Sequence, residues 1–251
     1  MISLGELFSQ SWAIYKKVFK RATALQFFPF LGLIPFVLIL SVFAILSILK
    51  ISGPAIGIIS IVLGLLGLAS ILLLIFIGCI AQFGTYRLIA NHQDQITIKQ
   101  VLQEGKKNFW SYLGLVITVG VLTLLWTLLL FIPGLIMGIF YSMAIWLLVD
   151  QNMQGMAAVR QSKELVRGYW WPVFWRFILI FIIAGILSGI VDNIFKVQVT
   201  EKQTINYMGW LFNALTTPFF VSYYYLLYKS LRDLKNSSNI TPTNPNANES
   251  K

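Results

Sequence analysis

Residues 54–81 read PAIGIISIVLGLLGLASILLLIFIGCIA, and this stretch decides the fold class. It holds no charged side chain, and it exceeds the roughly 20 apolar residues that a helix needs to cross a bilayer. Similar stretches recur along the chain, so we predict an all-α polytopic membrane protein. The six predicted transmembrane helices cover residues 22–49, 54–81, 109–131, 134–149, 171–191 and 207–228.

The composition of the whole chain supports the same class. Its 251 residues are 57% hydrophobic and only 11% charged, and the mean hydropathy is +0.77. Soluble domains carry about 25% charged residues. Because so few charges cannot cover the surface of a water-soluble fold, the composition excludes both a soluble globular protein and a disordered one.

The positions of lysine and arginine predict how the chain is oriented. With the N-terminus placed inside, only Lys50, Lys196 and Lys202 fall in outer loops, and the rest of the 19 cations fall in inner segments. Cytoplasmic loops are enriched in such residues, so we predict a multi-pass protein of the cell membrane with both termini in the cytoplasm. The net charge of +10 is then explained by the membrane, and no nucleic-acid partner is expected.

Some of the inner cations have a second interpretation. They lie where the spans meet the inner surface, and basic clusters at that level attract anionic lipid headgroups. We therefore expect membrane lipids, anionic ones included, as partners. The headgroup candidates are Lys16, Lys17, Lys106, Lys107 and Arg167.

Three inner segments have the pattern of amphipathic helices that lie on the cytoplasmic face. Two of them begin with a capping box, SLGE at residues 3–6 and TIKQ at residues 97–100, in which the first and last side chains bond each other's backbone N–H groups. The third covers residues 154–167 and is followed by a glycine, the usual residue after a helix end. Each segment leads into a span.

The recurrence of this pattern predicts a weak threefold repeat within one membrane domain, residues 1–235. The units would be residues 1–91, 95–149 and 150–235. The alternative is that any protein with a basic inner face places basic and aromatic residues there. Residues 236–251 are rich in Asn, Ser, Thr and Pro and have no apolar periodicity, which predicts a disordered cytoplasmic tail.

One run resembles a family pattern. IPG at residues 132–134 separates two spans, and AVRQSKELVRG follows at residues 158–168. The run is similar to a pattern in a broad prokaryotic group of multi-pass proteins that includes the membrane domain of glycerophosphoryl diester phosphodiesterases. That pattern is Pro-Gly between two spans and then a helix of the form Ala-Leu-x-x-Ser-x-x-Leu-x-x-Gly, in which Val159 here replaces the Leu. The matching positions are Pro133, Gly134, Ser162, Leu165 and Gly168.

The resemblance implies a turn, a surface helix and its cap, and it transfers no catalytic residue. The chain has one histidine, His92, and nine acidic residues. All of them fall outside the predicted spans, in predicted loops and surface helices. Metal-assisted hydrolysis needs carboxylates and histidines gathered around an ion. We therefore predict no catalytic site, no cofactor and no metal site.

Two features of the spans allow alternative interpretations. The sixth span contains the polar cluster Asn213, Thr216, Thr217 and Pro218, which predicts either a hydrogen-bonded kink inside the bundle or the edge of a substrate cavity. The spacing GxxxG, which lets two helices approach closely, occurs twice. It predicts packing within one chain or, alternatively, a homo-oligomer through Gly134 and Gly138 or through Gly185 and Gly189.

Three functional hypotheses follow from these features. The first is a non-enzymatic membrane protein that organises lipid or partner proteins at the cytoplasmic leaflet, based on the surface helices and the basic inner rim. The second is a transporter or channel for a neutral or apolar solute, based on the polar sixth span. The third, an enzyme, has the least support because no cluster of reactive side chains is visible.

Overall fold

The computed structural model describes residues 2–49, 54–94, 96–195, 197–200, 203–205 and 207–240. It confirms the predicted all-α polytopic class. The helices are α1 (Leu4–Phe27), α2 (Phe30–Ile48), α3 (Pro54–Ala90), α4 (Ile98–Lys107), α5 (Phe109–Leu129), α6 (Phe131–Tyr141), α7 (Ala144–Gln151), α8 (Gly155–Val166), α9 (Trp170–Ile194) and α10 (Tyr207–Ile240). An antiparallel pair of short strands, β1 (Val197–Thr200) and β2 (Gln203–Ile205), precedes α10, and the sequence pattern did not predict it.

Five helical segments of the described chain are long and apolar enough to cross a membrane. They are Leu4–Ile48, Ile56–Ala90, Phe109–Leu129, Phe131–Gln151 and Trp170–Ile194. The sixth predicted span, residues 207–228, lies within α10 and is not among the five. Its Asn, Thr and Tyr side chains make it less apolar than the other spans, and its crossing of the membrane stays a prediction.

The turn between the third and fourth predicted spans lies earlier than expected. The chain reverses at Leu130, whose backbone is extended with φ −159° and ψ 138°, and the predicted turn at residues 132–134 is already helical. Pro133 occupies the first turn of α6, where its missing N–H group needs no partner. A Cβ atom added to Gly134 would lie 2.6 Å from Thr127 Cα, so the glycine allows α5 and α6 to pack closely.

The fourth predicted span, residues 134–149, is not one helix. It is divided into α6 and α7 by a break at Ser142 and Met143. The α7 segment lies at the centre of the core, since its side chains are buried on all sides: Ala144, Trp146, Leu147, Leu148 and Val149. The helices α3, α5 and α8 pack around it, and the Tyr225 and Tyr228 rings of α10 contact Trp146.

Three helical hairpins extend from this core: α2 with α3, α5 with α6, and α9 with α10. Far from the core their apolar side chains are exposed, as shown by Leu128 at 82% and Phe181 at 77%. In a membrane-spanning protein such surfaces face hydrocarbon, because lipid tails solvate apolar side chains as well as protein does. The hairpins therefore form the lipid-facing part of the molecule.

An amphipathic helix precedes each hairpin: α1, α4 and α8. Both capping boxes are confirmed, since the Ser3 and Thr97 N–H groups donate to the side chains of Glu6 (3.2 Å) and Gln100 (3.0 Å). Each helix buries its apolar face in the protein. In α8, for example, Ala158 and Val159 are buried. The order of elements follows the predicted repeat, and superposition of the units stays a prediction.

The predicted disorder of the tail at residues 236–251 stays a prediction. The α10 helix continues through Ile240, so residues 236–240 are helical. Residues 241–251 lie outside the described part of the chain.

Candidate functional site

The charged side chains of several elements meet at one end of the bundle. We call this the charged end, and it comprises residues 16–21, 87–94, 96–108, 149–167 and 228–236. It contains the ion pairs and most of the cavities described below. Its elements are joined by specific hydrogen bonds rather than by apolar packing alone.

Arg87 connects three helices of the charged end. Its Nε–H group donates to Glu104 Oε2 at 2.5 Å, and its Nη1–H group donates to the Val149 carbonyl at 2.8 Å. Val149 lies in the last turn of α7, where carbonyl groups lack helical partners. Arg87 therefore fixes α4 and the end of α7 to α3.

Asp150 forms the second polar connection, between α7 and α10. Its carboxylate pairs with Arg232 and accepts a hydrogen bond of 2.9 Å from the Tyr228 hydroxyl. The Gln151 side-chain amide donates to the same hydroxyl at 3.1 Å. Burial is the largest single influence and would lower the pKa of Arg232, but Asp150, Tyr228 and Asp233 together outweigh it and raise the pKa. The guanidinium group remains charged, as this network requires.

The α1 helix crosses the bundle beside the charged end. At its start, the Ile2 carbonyl accepts a hydrogen bond of 2.9 Å from Arg176 of α9. In its middle, the Tyr15 hydroxyl donates to the Leu215 carbonyl of α10 at 3.2 Å. Near its end, Arg21 donates to the Ile96 carbonyl, before α4, at 2.8 Å. The stripe that α1 buries on this path consists of Leu7, Ser11, Ile14, Val18, Ala22 and Leu25.

The five headgroup candidates are all exposed, but the structure does not bring them into one site. Lys17 lines a cavity with Lys229, Lys107 lines a second with Glu104, and Arg167 lines a third. Arg167 also has a weak partner in Glu164, at 3.6 Å. Lys16 and Lys106 are exposed on α1 and α4. The candidates thus form a distributed basic surface.

The family-pattern residues serve the break between α6 and α7. Ser162 of α8 is fully buried, and its hydroxyl accepts from the Met143 N–H group at 3.1 Å and donates to the Phe140 carbonyl at 2.7 Å. These are the backbone groups that the break deprives of helical partners. Leu165 is buried in the same helix face, and Gly168 ends the segment at φ +88°, a conformation that favours glycine.

The polar cluster of the sixth predicted span bonds to its own helix. The Thr216 and Thr217 hydroxyls donate to the carbonyls of Phe212 (2.9 Å) and Asn213 (2.6 Å). Pro218 is buried, and its carbonyl accepts from the Ser222 hydroxyl at 2.7 Å. The five cavities that we describe are lined by other residues.

The two GxxxG pairs differ in their surroundings. A Cβ atom on Gly138 would lie 3.7 Å from Thr123 of α5, so the pair of Gly134 and Gly138 packs within the chain. Around Gly185 and Gly189 no described atom lies within 4 Å of such a Cβ atom. The first pair therefore serves the α5–α6 hairpin, and the second faces away from the described protein.

Sequence reasoning missed the residues that organise the charged end. Arg87 and Asp150 lie in the last turns of α3 and α7, Glu104 lies near the end of α4, and Arg232 lies inside α10. No local motif marks these four residues. The only signal was opposite charge at the inner ends of different spans, which does not specify partners. Across the described ranges, no three His, Cys, Asp or Glu side chains come together as a metal site.

A comparison of the chain with family models, with curated proteins and with solved structures finds no match. The account of the site therefore rests on its own geometry.

Proposed function

We propose that this chain is a non-enzymatic membrane protein that organises anionic lipids, or proteins bound to them, at the cytoplasmic leaflet. The observation that supports this proposal most directly is the separation of charged and apolar surface. The cations of α1, α4 and α8 are exposed on helices that pack against the core, while the apolar hairpins extend from it.

The proposal includes an orientation in the cell membrane. The segments predicted as inner, among them residues 16–21, 87–108 and 149–167, are joined by the hydrogen bonds of Arg21, Arg87 and Asp150. The positive-inside rule then assigns the charged end to the cytoplasm. With α10 as a sixth span, both termini lie on that side.

The resemblance to the membrane domain of glycerophosphoryl diester phosphodiesterases is part of the proposal. The hydrogen bonds of Ser162 and the positive φ of Gly168 support a structural role for the shared pattern. The transporter hypothesis has weaker support, because the Thr216 and Thr217 hydroxyls satisfy carbonyls of their own helix.

The proposal can be tested by the lipids that remain bound to the purified protein. We expect the wild type to retain phosphatidylglycerol in preference to phosphatidylcholine from mixed micelles or nanodiscs, as measured by mass spectrometry of the bound lipid. The fivefold variant Lys16→Gln, Lys17→Gln, Lys106→Gln, Lys107→Gln and Arg167→Gln should lose this preference. Each removed cation near the surface contributes about 1 kcal/mol to the attraction.

The matched control neutralises the predicted outer lysines Lys50, Lys196 and Lys202 to glutamine. It should retain the preference for phosphatidylglycerol. If the fivefold variant binds anionic lipid as well as the wild type does, the proposal is wrong.

A further inference from the structure

A cavity of about 310 Å³ lies between α1, the turn after α3 and α10. Its polar lining consists of Gln10, Lys17, His92, Gln93 and Lys229. These residues come from three separate segments, which the fold brings together. The cavity is at the lower end of the size range of ligand sites, about 300–1,000 Å³, and so fits a small ligand.

The charges of this cavity are unbalanced. Its described lining contains two ammonium groups and no carboxylate, whereas Glu164 lines the cavity beside Arg232 and also the one beside Arg160. Within the described ranges neither Lys17 nor Lys229 is ion-paired, and Lys229 is half-buried. A partly buried charge without a counter-ion costs free energy, which a bound anion would offset.

His92 lies in the field of these lysines. Its Nδ1 atom is 3.0 Å from the Ile89 carbonyl, which fits Nδ1–H as donor and leaves Nε2 for a ligand. Burial lowers the pKa of His92, and Lys17 and Lys229 lower it further, while the Ile89 carbonyl and Asp94 oppose the shift. The centroid of the Tyr225 ring lies 6.0 Å from the centroid of the His92 imidazole, so the two rings are neighbours. The cavity therefore has a positive potential.

We propose that this cavity binds inorganic phosphate or the phosphate group of a small phosphate monoester from the aqueous phase. A phosphate dianion has two charges and four oxygen atoms, which match the two ammonium groups and the Gln10 and Gln93 amides of the lining. Charge-assisted bonds of this kind are the strong ones. A single carboxylate offers one charge and two oxygen atoms, and it matches two lysines on different helices less well.

The position of the cavity favours a soluble ligand over a lipid headgroup. On one side of α1, Trp12 and Tyr15 pack against Phe219, inside the predicted sixth span. The cavity is on another side of α1 and reaches Lys229, beyond the predicted end of that span. The site shares Lys17 with the proposed lipid-binding surface and adds His92 and Lys229, which that surface does not use.

The experiment uses the full chain, which contains one histidine, with its imidazole labelled for NMR. The protein is reconstituted in nanodiscs of phosphatidylcholine alone, and inorganic phosphate is added at pH 6.5 and constant ionic strength. The bound anion should increase the protonated fraction of His92 in a saturable manner. In a second arm, one-fifth phosphatidic acid replaces phosphatidylcholine, and no phosphate is added.

The double variant Lys17→Gln, Lys229→Gln should weaken phosphate binding roughly tenfold or more, whereas Lys17→Arg, Lys229→Arg should retain it. Lys163→Gln, on α8, is the matched control and should bind as the wild type does.

A response to phosphatidic acid alone would overturn the assignment to a soluble ligand. No response in either arm, or an undiminished response of the glutamine double variant, would overturn the site itself. Because Lys17 belongs to both proposals, Lys229→Gln separates them: it should weaken phosphate binding and leave the preference for phosphatidylglycerol unchanged.

Discussion

At the scale of single residues, Ser162 has the clearest structural task. It joins α8 to the break between α6 and α7 through two hydrogen bonds to backbone groups. Ser162→Ala leaves the Met143 N–H and Phe140 carbonyl groups without this partner in a buried place. We expect a loss of about 1–3 kcal/mol in the free energy of unfolding, measured by denaturation in detergent micelles.

The control for this prediction is Ser41→Ala. Ser41 is exposed, and its hydroxyl donates only to the Leu38 carbonyl of its own helix. This change should leave stability within about 0.5 kcal/mol of the wild type. Equal stability of the Ser162→Ala and Ser41→Ala proteins would show that the two hydrogen bonds of Ser162 do not stabilise the fold.

Gly134 and Gly185 should respond in opposite directions to alanine. Alanine is the better helix former by about 1 kcal/mol, so Gly185→Ala, in open surroundings, should be neutral or stabilising. In Gly134→Ala the new methyl group meets Thr127, and overpacking of this kind costs about 1–3 kcal/mol. Thermal denaturation of the two variants in the same detergent compares them, and a stabilised Gly134→Ala protein would refute the close packing of α5 and α6.

His92 makes the stability of the protein depend on pH with a definite sign. Burial, Lys17 and Lys229 lower the pKa of His92 in the folded chain, so the unfolded chain binds a proton first as pH falls. The stabilising contribution of neutral His92 is present above its ordinary pKa of about 6.5. It is lost as pH falls through that value towards the lower pKa of the folded state.

Denaturation between pH 7.5 and pH 5 can test this dependence. The wild type should lose stability relative to His92→Gln as the pH is lowered, because glutamine does not titrate. Parallel pH profiles of the two proteins would contradict the lowered pKa.

At the scale of helices, the link between α7 and α10 can be measured. Asp150 and Arg232 are each about one-quarter to one-third exposed, so solvent screens their attraction in part. A double-mutant cycle with Asp150→Asn and Arg232→Gln should give a coupling energy of about 1 kcal/mol. The cycle with Glu164→Gln and Arg167→Gln, an exposed pair 3.6 Å apart, serves as the control and should give less.

The helices differ in how far the sequence predicted them. Capping boxes at Ser3 and Thr97 use side chains three residues apart, so a local pattern was enough to place the starts of α1 and α4. The break at Ser142 and Met143 depends on Ser162, which is on another helix, and no local signal marks it. The end of α10 was missed for a different reason, because residues 236–239 are all polar and give no apolar periodicity that would extend the helix.

The candidate site was predictable only as a surface. Counting cations placed Lys16, Lys17, Lys106, Lys107 and Arg167 on the inner side, and all five are exposed. The cavity that joins Lys17 to His92 and Lys229 depends on the path of α1 across α10. Such a path is set by contacts between distant parts of the chain, such as the hydrogen bond from Tyr15 to Leu215.

At the scale of the whole molecule, three hairpins share one core, and that core lies with the charged end. The proposed orientation requires the charged end to face the cytoplasm and the tips of all three hairpins to face outward. The sixth span is the least apolar, so the position of the tip between α9 and α10 tests the arrangement most severely.

Cysteine accessibility in intact cells measures this arrangement directly. In a Cys79→Ser background, which removes the only native cysteine, single cysteines are placed by Ser52→Cys and Lys202→Cys at two predicted tips, and by Gln93→Cys and Lys235→Cys at the charged end. A membrane-impermeant thiol reagent should label the first two proteins in intact cells and the second two only after permeabilisation. Labelling of Gln93→Cys or Lys235→Cys in intact cells, or protection of Lys202→Cys until permeabilisation, would contradict the proposed arrangement.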